Sequence, residues 1–365
     1  FPFPLIPFST YSPEPDQCLL VGLLCVWSLL MNTHQTTSTT GANKAGRGVL
    51  RLVSTKDLSR NDWLDVRKRG IGSSDAAAAI GLNPYKSQLE LWLEKTNRDV
   101  GLVKPNPDDD TTPVFWGVVL EPVVASQYQR RTGNKVRKVN AVLQHPDVPW
   151  MLANIDREVV GSNQVQILEC KTAGLNGARL WRDGVPKYVE VQVMHQLAVT
   201  GKQAADVAVL LGGQQLEVYR IERDEALIDQ LIALERQFWH YVETDTPPPA
   251  DGSDSAEAAL RLLYPADNGE QLDLSADTAL SEAFDELKQV RLSLSDLGRR
   301  EAELKQSLQQ AMGEASKATF ASGSISWKKS KDGTGIDLDA LFKDHPALKT
   351  QYQINKPGSR RFLVS

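Results

Sequence analysis

Three residues in the middle of the chain have the types and spacing for phosphate chemistry: Asp156, Glu169 and Lys171. The Asp closes an apolar run, Trp150 to Ile155, and the Glu-x-Lys lies inside a second run, Val165 to Lys171. In an extended strand successive side chains alternate faces, so Glu169 and Lys171 point one way and Cys170 the other. The segment between the runs carries Gly161-Ser162-Asn163, a turn signal, and the two runs are expected to pair as a hairpin that brings Asp156 beside Glu169 and Lys171. Two carboxylates with one lysine suit a hard divalent cation and a water oriented for attack on phosphate. Taken singly, Glu169-x-Lys171 also fits an ion pair on an exposed strand face, and Asp156 fits a turn.

The elements that must hold these residues are legible around them. Asp62 to Arg67 reads as a helix, followed by a Gly70-Ile71-Gly72 turn and an N-cap candidate in Ser73-Ser74-Asp75. Ala76 to Ile80 is then helical, and Gly81 ends it. Ser87 to Lys95 is a helix with Leu89, Trp92 and Leu93 on its apolar face, and Phe115 to Thr132 is another, carrying Glu121 near its start. Between them, Asp108-Asp109-Asp110 sits in a Pro-rich loop and reads as solvated. A helix ends at Thr200-Gly201, and two strands, Asp206 to Leu211 and Gln215 to Ile221, flank Gly212-Gly213. A long helix, Asp224 to Glu243, runs up to Pro247-Pro248-Pro249, which marks a boundary. From Leu280 to Met312 apolar residues recur near heptad spacing, interrupted by Glu301, which predicts a helical hairpin or an oligomer contact. Ile325-Ser326-Trp327 and Phe362-Leu363-Val364 read as a small β-containing tail.

The 365 residues are 41% hydrophobic and 24% charged, the balance of a globular chain with one large domain or two modest ones. A formal charge of −5 excludes a global basic field, so any nucleic-acid contact depends on local clusters such as Arg67-Lys68-Arg69, Arg130-Arg131 and Lys135-Val136-Arg137-Lys138. Taken singly, each cluster also fits a solvated surface. The three cysteines, Cys18, Cys25 and Cys170, have no zinc-site spacing, and a reducing cytoplasm fits them. No phosphate-binding loop of the Gly-x-x-x-x-Gly-Lys-Ser/Thr type occurs, which argues against an ATP-driven helicase. Residues 1–30 are apolar and Pro/Phe-rich without a basic start, and Met31 is the first methionine; they are expected to be an upstream extension rather than a membrane anchor. The Thr/Ser-rich stretch from Asn32 to Asn43 is expected to be disordered. The domain expectation is therefore an extension and leader over 1–48, a main domain over 49–250, and a C-terminal helical and small β region over 251–365.

Further motifs fall in a fixed order with the first three residues. They are Trp63 to Asp75, Gly81-Leu82-Asn83-Pro84-Tyr85, Leu91 to Thr96, Gly117 to Pro122, Asp156, Glu169-Cys170-Lys171, and Val191-Gln192-Val193-Met194-His195. Together they resemble the YqaJ-type viral recombinase family, relatives of the phage lambda exonuclease within the PD-(D/E)xK nuclease superfamily. The resemblance covers about residues 55–250. In this chain Ile155 stands where the superfamily name places Pro.

The resemblance implies an α/β fold, a restriction-endonuclease-like core of mixed sheet flanked by helices. It implies a Mg²⁺- or Mn²⁺-dependent deoxyribonuclease that digests one strand of duplex DNA from its 5′ end and leaves a 3′ strand for a single-strand annealing protein. Carried over by position, Asp156, Glu169 and the backbone carbonyl of Cys170 would ligate the metal, with Glu121 as an added acidic group. Lys171 would orient the attacking water, Gln192 matches a family glutamine, and Arg67 and Ser74 match positions that bind a terminal 5′-phosphate. The family also implies a homo-oligomer, a trimer in lambda-type relatives, and a phage or prophage protein of the bacterial host cytoplasm, with no membrane partner. His195, among apolar neighbours, reads as packed rather than catalytic. Two rival readings stay open: a non-catalytic DNA-end or recombination-partner binding protein, and an endonuclease on the same fold.

Overall fold

The computed structural model describes residues 48–356 and 358–364. The expectations placed on residues 1–47, the upstream extension and its leader, lie outside the described residues. The described chain forms two compact units that meet in sequence at Leu263/Tyr264.

The first unit begins with strand β1 (Leu50–Ser54) and helix α1 (Arg60–Lys68), whose N-cap Ser59 accepts from the Asp62 N–H. A two-residue strand β2 (Ile71–Gly72), a single helical turn α2 (Ala76–Ala79) and helix α3 (Gln88–Lys95) follow. Asp75 occupies the N-cap position of α2, yet its side chain makes no capping bond, contrary to the capping role expected of this segment. Ion pairing, described below, takes its carboxylate instead. Helix α4 (Pro113–Thr132) starts on the Thr112 hydroxyl and ends at Gly133, whose φ of 76° is a left-handed C-terminal stop.

Strands β3 (Lys135–Lys138), β4 (Ala141–Gln144), β5 (Met151–Ala153), β6 (Arg157–Val160) and β7 (Ile167–Ala173) come next. Helix α5 (Lys187–Thr200), strands β8 (Ala204–Leu211) and β9 (Gln215–Glu222), and helices α6 (Glu225–Glu243) and α7 (Asp254–Leu263) complete the unit. Past the three prolines, α7 still belongs to this unit: the Ser255 hydroxyl accepts from the Ser87 N–H at the start of α3, 2.8 Å away.

The strands form two mixed sheets, ordered β1-β4-β5-β2 and β3-β6-β7-β8-β9. The α/β class with helices flanking a mixed sheet is therefore the one expected from the sequence. The expected hairpin is not. The run at 150–155 supplies β5 of the first sheet, while β7 pairs antiparallel with β6 and parallel with β8 in the second. The turn at Gly161, with φ of 75°, closes β6 onto β7. The Asn154-Ile155-Asp156 segment thus carries the chain from one sheet to the other. Because β6 begins one residue after Asp156 and pairs Arg157 with Leu168, the Asp still arrives next to Glu169.

Strand β7 separates two apolar layers. Ile167 packs with Val207, Val209 and the buried face of α5, whereas Leu168 and Cys170 pack with Val124 and Tyr128 of α4. Helix α5 is buried on nearly every side from Val189 to Thr200, which explains why its apolar residues do not confine themselves to one stripe. Tyr128 donates to Asp206 Oδ2 at 2.6 Å and fixes α4 on the outer face of β8.

In the second unit, Thr278–Met312 is one unbroken helix, α8, of 35 residues. Of the two expected alternatives, the helical hairpin is absent among the described residues: the helix runs through Gly298 without a break. A hairpin of β10 (Lys317–Phe320) and β11 (Gly323–Ser326) follows, then short helices α9 (Leu338–Asp344) and α10 (Pro346–Gln351). Ile325 and Ser326 lie in that hairpin; Phe362-Leu363-Val364 form no strand.

Candidate active site

Glu169 and Lys171 project from β7 toward α5, as alternation requires, and their side chains meet at 2.8 Å. Glu169 is only 3% exposed. A buried carboxylate without partners is costly by several kcal/mol, and here both carboxylate oxygens are answered by donors. Gln192 Nε2 donates to Glu169 Oε1 at 2.6 Å, and Gln196 Nε2 donates to Oε2 at 2.8 Å. The two glutamines are four residues apart on α5, one turn, and so reach the same carboxylate. Gln192 does a second thing: its Oε1 accepts from the Lys171 ammonium at 2.9 Å. Lys171, Gln192 and Glu169 close a triangle in which each contact restrains the other two.

Asp156 completes the cluster from the sheet crossover. Its Oδ2 accepts from the Cys170 backbone N–H at 2.8 Å, so the residue between Glu169 and Lys171 docks the aspartate with its main chain. Burial and the neighbouring Glu169 charge push the Asp156 carboxyl up to about 8, with Lys171 opposing. Lys171 stays cationic: burial alone would lower its pKa, but Glu169 and Asp156 outweigh burial and raise it. One ammonium therefore cannot balance two carboxylates in this environment. The Cys170 thiol is raised by burial and by those carboxylates, and its side chain packs toward α4, away from Glu169.

A divalent cation fits this set. The donors are carboxylate oxygens of the kind that bind hard ions, and a cation would favour the ionised form of Asp156 that burial and Glu169 disfavour. Asp156 and Glu169 are the residues that would hold it. Among the described residues no three His, Cys, Asp or Glu side chains converge as a ready cage. Glu121 is brought near but not into the triangle. Its Oε1 accepts from Arg157 at 2.5 Å, and the same guanidinium nitrogen donates to the Asp156 carbonyl at 2.7 Å.

Arg67 and Ser74 come together at a second point. Arg67 donates to the Ser74 hydroxyl at 2.7 Å and to Asp75 Oδ1 at 3.0 Å, and its guanidinium lies over the Trp63 ring, 4.8 Å from the centroid. Lys95 reaches Asp75 Oδ2 at 2.8 Å and the Arg67 carbonyl at 2.9 Å. Burial would raise the Asp75 carboxyl, but Arg67 and Lys95 hold it well below the usual carboxylate range. Ser74 is exposed and Arg67 is partly exposed. The Asn154 carbonyl links the two points, accepting from Gln196 at 3.2 Å and from Ser73 at 3.4 Å.

Sequence reasoning gives no site role to Gln196, Arg157 or Lys95, and offers Asp75 only as part of a capping segment. Gln196 had a signal, the one-turn spacing from Gln192; Arg157 had none beyond adjacency to Asp156. Tyr85 and Tyr188 also stand at the site, edge to face with ring centroids 5.9 Å apart, and Tyr188 is close enough to feel the Lys171 charge. His195 is fully buried between Glu235 (2.7 Å) and the Leu152 carbonyl (2.9 Å), in keeping with a packed role.

Residues 62–203 match the sequence profile of the YqaJ-like viral recombinase domain. The chain is 35% identical over 282 residues to the uncharacterized protein YqaJ of Bacillus subtilis (strain 168), covering 76% of this chain and 86% of that protein. The chain belongs to the YqaJ family. A shorter stretch of 75 residues is 36% identical to a protein of African swine fever virus, 20% of either chain. Among solved structures the fold is similar to the alkaline exonuclease LHK-Exo from Laribacter hongkongensis, at 24% identity and a TM-score of 0.42, over 51% of this chain and 93% of that one. It is also similar to a phage-related exonuclease from Haemophilus somnus 129PT, at 12% identity and a TM-score of 0.36, over 48% and 96% of the two chains. The YqaJ profile spans the Arg67/Ser74 pair, the crossover Asp156, the Glu169-x-Lys171 strand and both glutamines of α5. No described helix is long and apolar enough to cross a membrane.

Proposed function

We propose that this YqaJ-family chain is a divalent-metal-dependent deoxyribonuclease that digests duplex DNA from its ends, 5′ to 3′, in recombination that ends with strand annealing. The observation that carries the reading is the Asp156, Glu169 and Lys171 cluster, with the aspartate docked on the main chain of β7 and the glutamate and lysine alternating on one face of that strand. Asp156, Glu169 and the Cys170 carbonyl would hold Mg²⁺ or Mn²⁺, with Glu121 as an auxiliary acid. Such a cation, when bound, would supply Lewis acidity and lower the pKa of water.

The protein's own groups do the rest. The Lys171 ammonium orients the attacking water and faces the charge that grows on the phosphate. Gln192 keeps that ammonium in line while holding Glu169, so neither drifts when substrate arrives. Arg67 and Ser74 receive a terminal 5′-phosphate; a planar guanidinium fork matches phosphate oxygens, and Asp75 sets its angle. Engagement of an end by that pair is what makes the enzyme an exonuclease rather than an endonuclease. DNA ends and a single-strand annealing protein are the partners of this reading, and a homo-oligomer, a trimer in lambda-type relatives, would keep the enzyme on its substrate.

The test is linear duplex labelled at either end, incubated with Mg²⁺, with Mn²⁺ and with EDTA. The reading expects metal-dependent loss from the 5′-phosphorylated end, none in EDTA, and an intact closed circle. No product with either metal indicates a binding protein, and rapid cutting of the closed circle indicates an endonuclease.

A further inference from the structure

Helix α8 exposes a heptad seam that no other described residue of its own unit covers. No residue of the helix is buried, and Leu280, Val290, Leu294, Leu297, Leu304 and Leu308 are 36–66% exposed. With Leu280 at position a, the a series is Leu280, Leu287, Leu294, Glu301 and Leu308. The d series is Ala283, Val290, Leu297, Leu304 and Ala311. This seam runs the whole helix, about 50 Å at 1.5 Å per residue. An apolar strip of that length, broken only at Glu301, needs a partner helix.

We infer that α8 pairs with α8 of a second copy of this chain, in a contact additional to any ring of the first units, as an antiparallel two-stranded coiled coil, in the register that places Leu294 opposite the partner's Leu297. Side-chain size decides the direction. Full overlap in antiparallel order sets Leu280 against Ala311 and Leu308 against Ala283, large against small at both ends, with Leu287 against Leu304 and the 294/297 pairs in the centre. In parallel order Ala283 and Ala311 would each face themselves, leaving thin layers between leucines.

Charge decides the same way. In parallel order two Glu301 side chains would share one core layer, and Arg300 would lie across from Lys305. The single favourable parallel pair, Glu286 with Arg291, does not offset both. In antiparallel order Glu301 lies opposite Val290, with Arg291 of the other copy beside it. Within its own helix Glu301 already pairs with Lys305 at 2.7 Å, so its carboxylate sits between two cations in the dimer. The seam is self-complementary only in this arrangement, which is why the partner is a second copy.

The experiment is cross-linking of full-length chains carrying one new cysteine each, Leu287→Cys or Leu304→Cys, on tags of different size, with the unmodified chain as control for its native cysteines. The inference expects a disulfide between the two variants when they are mixed, and none within the Leu287→Cys preparation alone, where the thiols stand about 25 Å apart. A Leu287→Cys self-link overturns it. A second measurement is sedimentation of the full chain against Leu294→Glu/Leu297→Glu, which keeps good helix formers but places charge in the central layers. Self-association through this helix should weaken by about 100-fold or more. An unchanged association, or no mixed cross-link in a chain that retains its helix content, overturns the inference, as does a seam filled only by a different protein.

Discussion

Gln192 stands 2.6 Å from Glu169 through its amide nitrogen, and the other end of the same amide holds Lys171. An amide is the side chain that can do both, since it donates at one atom and accepts at the other. A carboxylate there would repel Glu169, and a hydrocarbon would leave the ammonium free to rotate. Gln192→Ala is therefore expected to lower the rate of DNA digestion by about 10–100-fold, the usual cost of losing a group that orients a site residue, with the fold retained. Rates with saturating metal and circular dichroism check both halves.

Gln196 plays a heavier structural part. Its loss leaves Glu169 Oε2, buried beneath α5, without its donor. Gln196→Leu should cost about 1–3 kcal/mol in urea unfolding, the penalty of a buried acceptor left unmade, besides lowering activity. An unfolding curve that overlays wild type would contradict this placement.

Asp75 is clamped between Arg67 and Lys95 and nearly excluded from water. Asp75→Asn leaves two cations against a neutral amide and should destabilise the protein by about 3–5 kcal/mol. Because the folded carboxyl titrates far below its unfolded value, its contribution is complete above an ordinary aspartate pKa of about 3.9 and is lost as pH falls below it. The gap between wild type and variant should thus be widest near neutral pH and shrink below about pH 4, measured by denaturant unfolding across that range.

Gly70 marks a close approach of two backbones. A Cβ there would sit 2.4 Å from the Trp150 carbonyl oxygen, the same oxygen that accepts from the Ile71 N–H where β2 joins β5. Backbone cannot yield as a side-chain tip can, so Gly70→Ala should destabilise by about 1–3 kcal/mol. It should also disturb the Arg67/Ser74 end of the site, seen as a raised KM for 5′-phosphorylated duplex.

Helices and strands of the first unit were legible because their punctuation is chemical: Ser87 caps α3, Gly133 and Gly201 end α4 and α5, and alternation on β7 sorts Glu169 and Lys171 from Cys170. What sequence order could not supply is which strands neighbour one another. The 150–155 run looked like the partner of β7 because a turn signal separates them; the four-residue strand β6 in between takes that place instead. The docking of Asp156 survives the error because it depends on the residue before β6, not on β5. Ser73-Ser74-Asp75 reads as a capping segment because short polar residues cap helices locally, whereas the Asp75 partner Lys95 lies twenty residues on, on another helix. Arg157 was invisible for the same reason: its partner Glu121 comes from α4, and no local pattern announces the pairing.

The central claim is that Lys171, poised between Glu169 and Gln192, is indispensable to phosphodiester hydrolysis while contributing little to holding the protein together. The direct measurement is single-turnover digestion of 5′-phosphorylated, end-labelled duplex by the wild-type chain and by Lys171→Ala, in Mg²⁺ and in EDTA, with end binding followed by fluorescence anisotropy on the same samples. The account predicts metal-dependent shortening by the wild type, a loss of at least about 1,000-fold in the variant, comparable to removing a key electrostatic donor, and end affinity kept within a few-fold. Digestion by Lys171→Ala at the wild-type rate would contradict it.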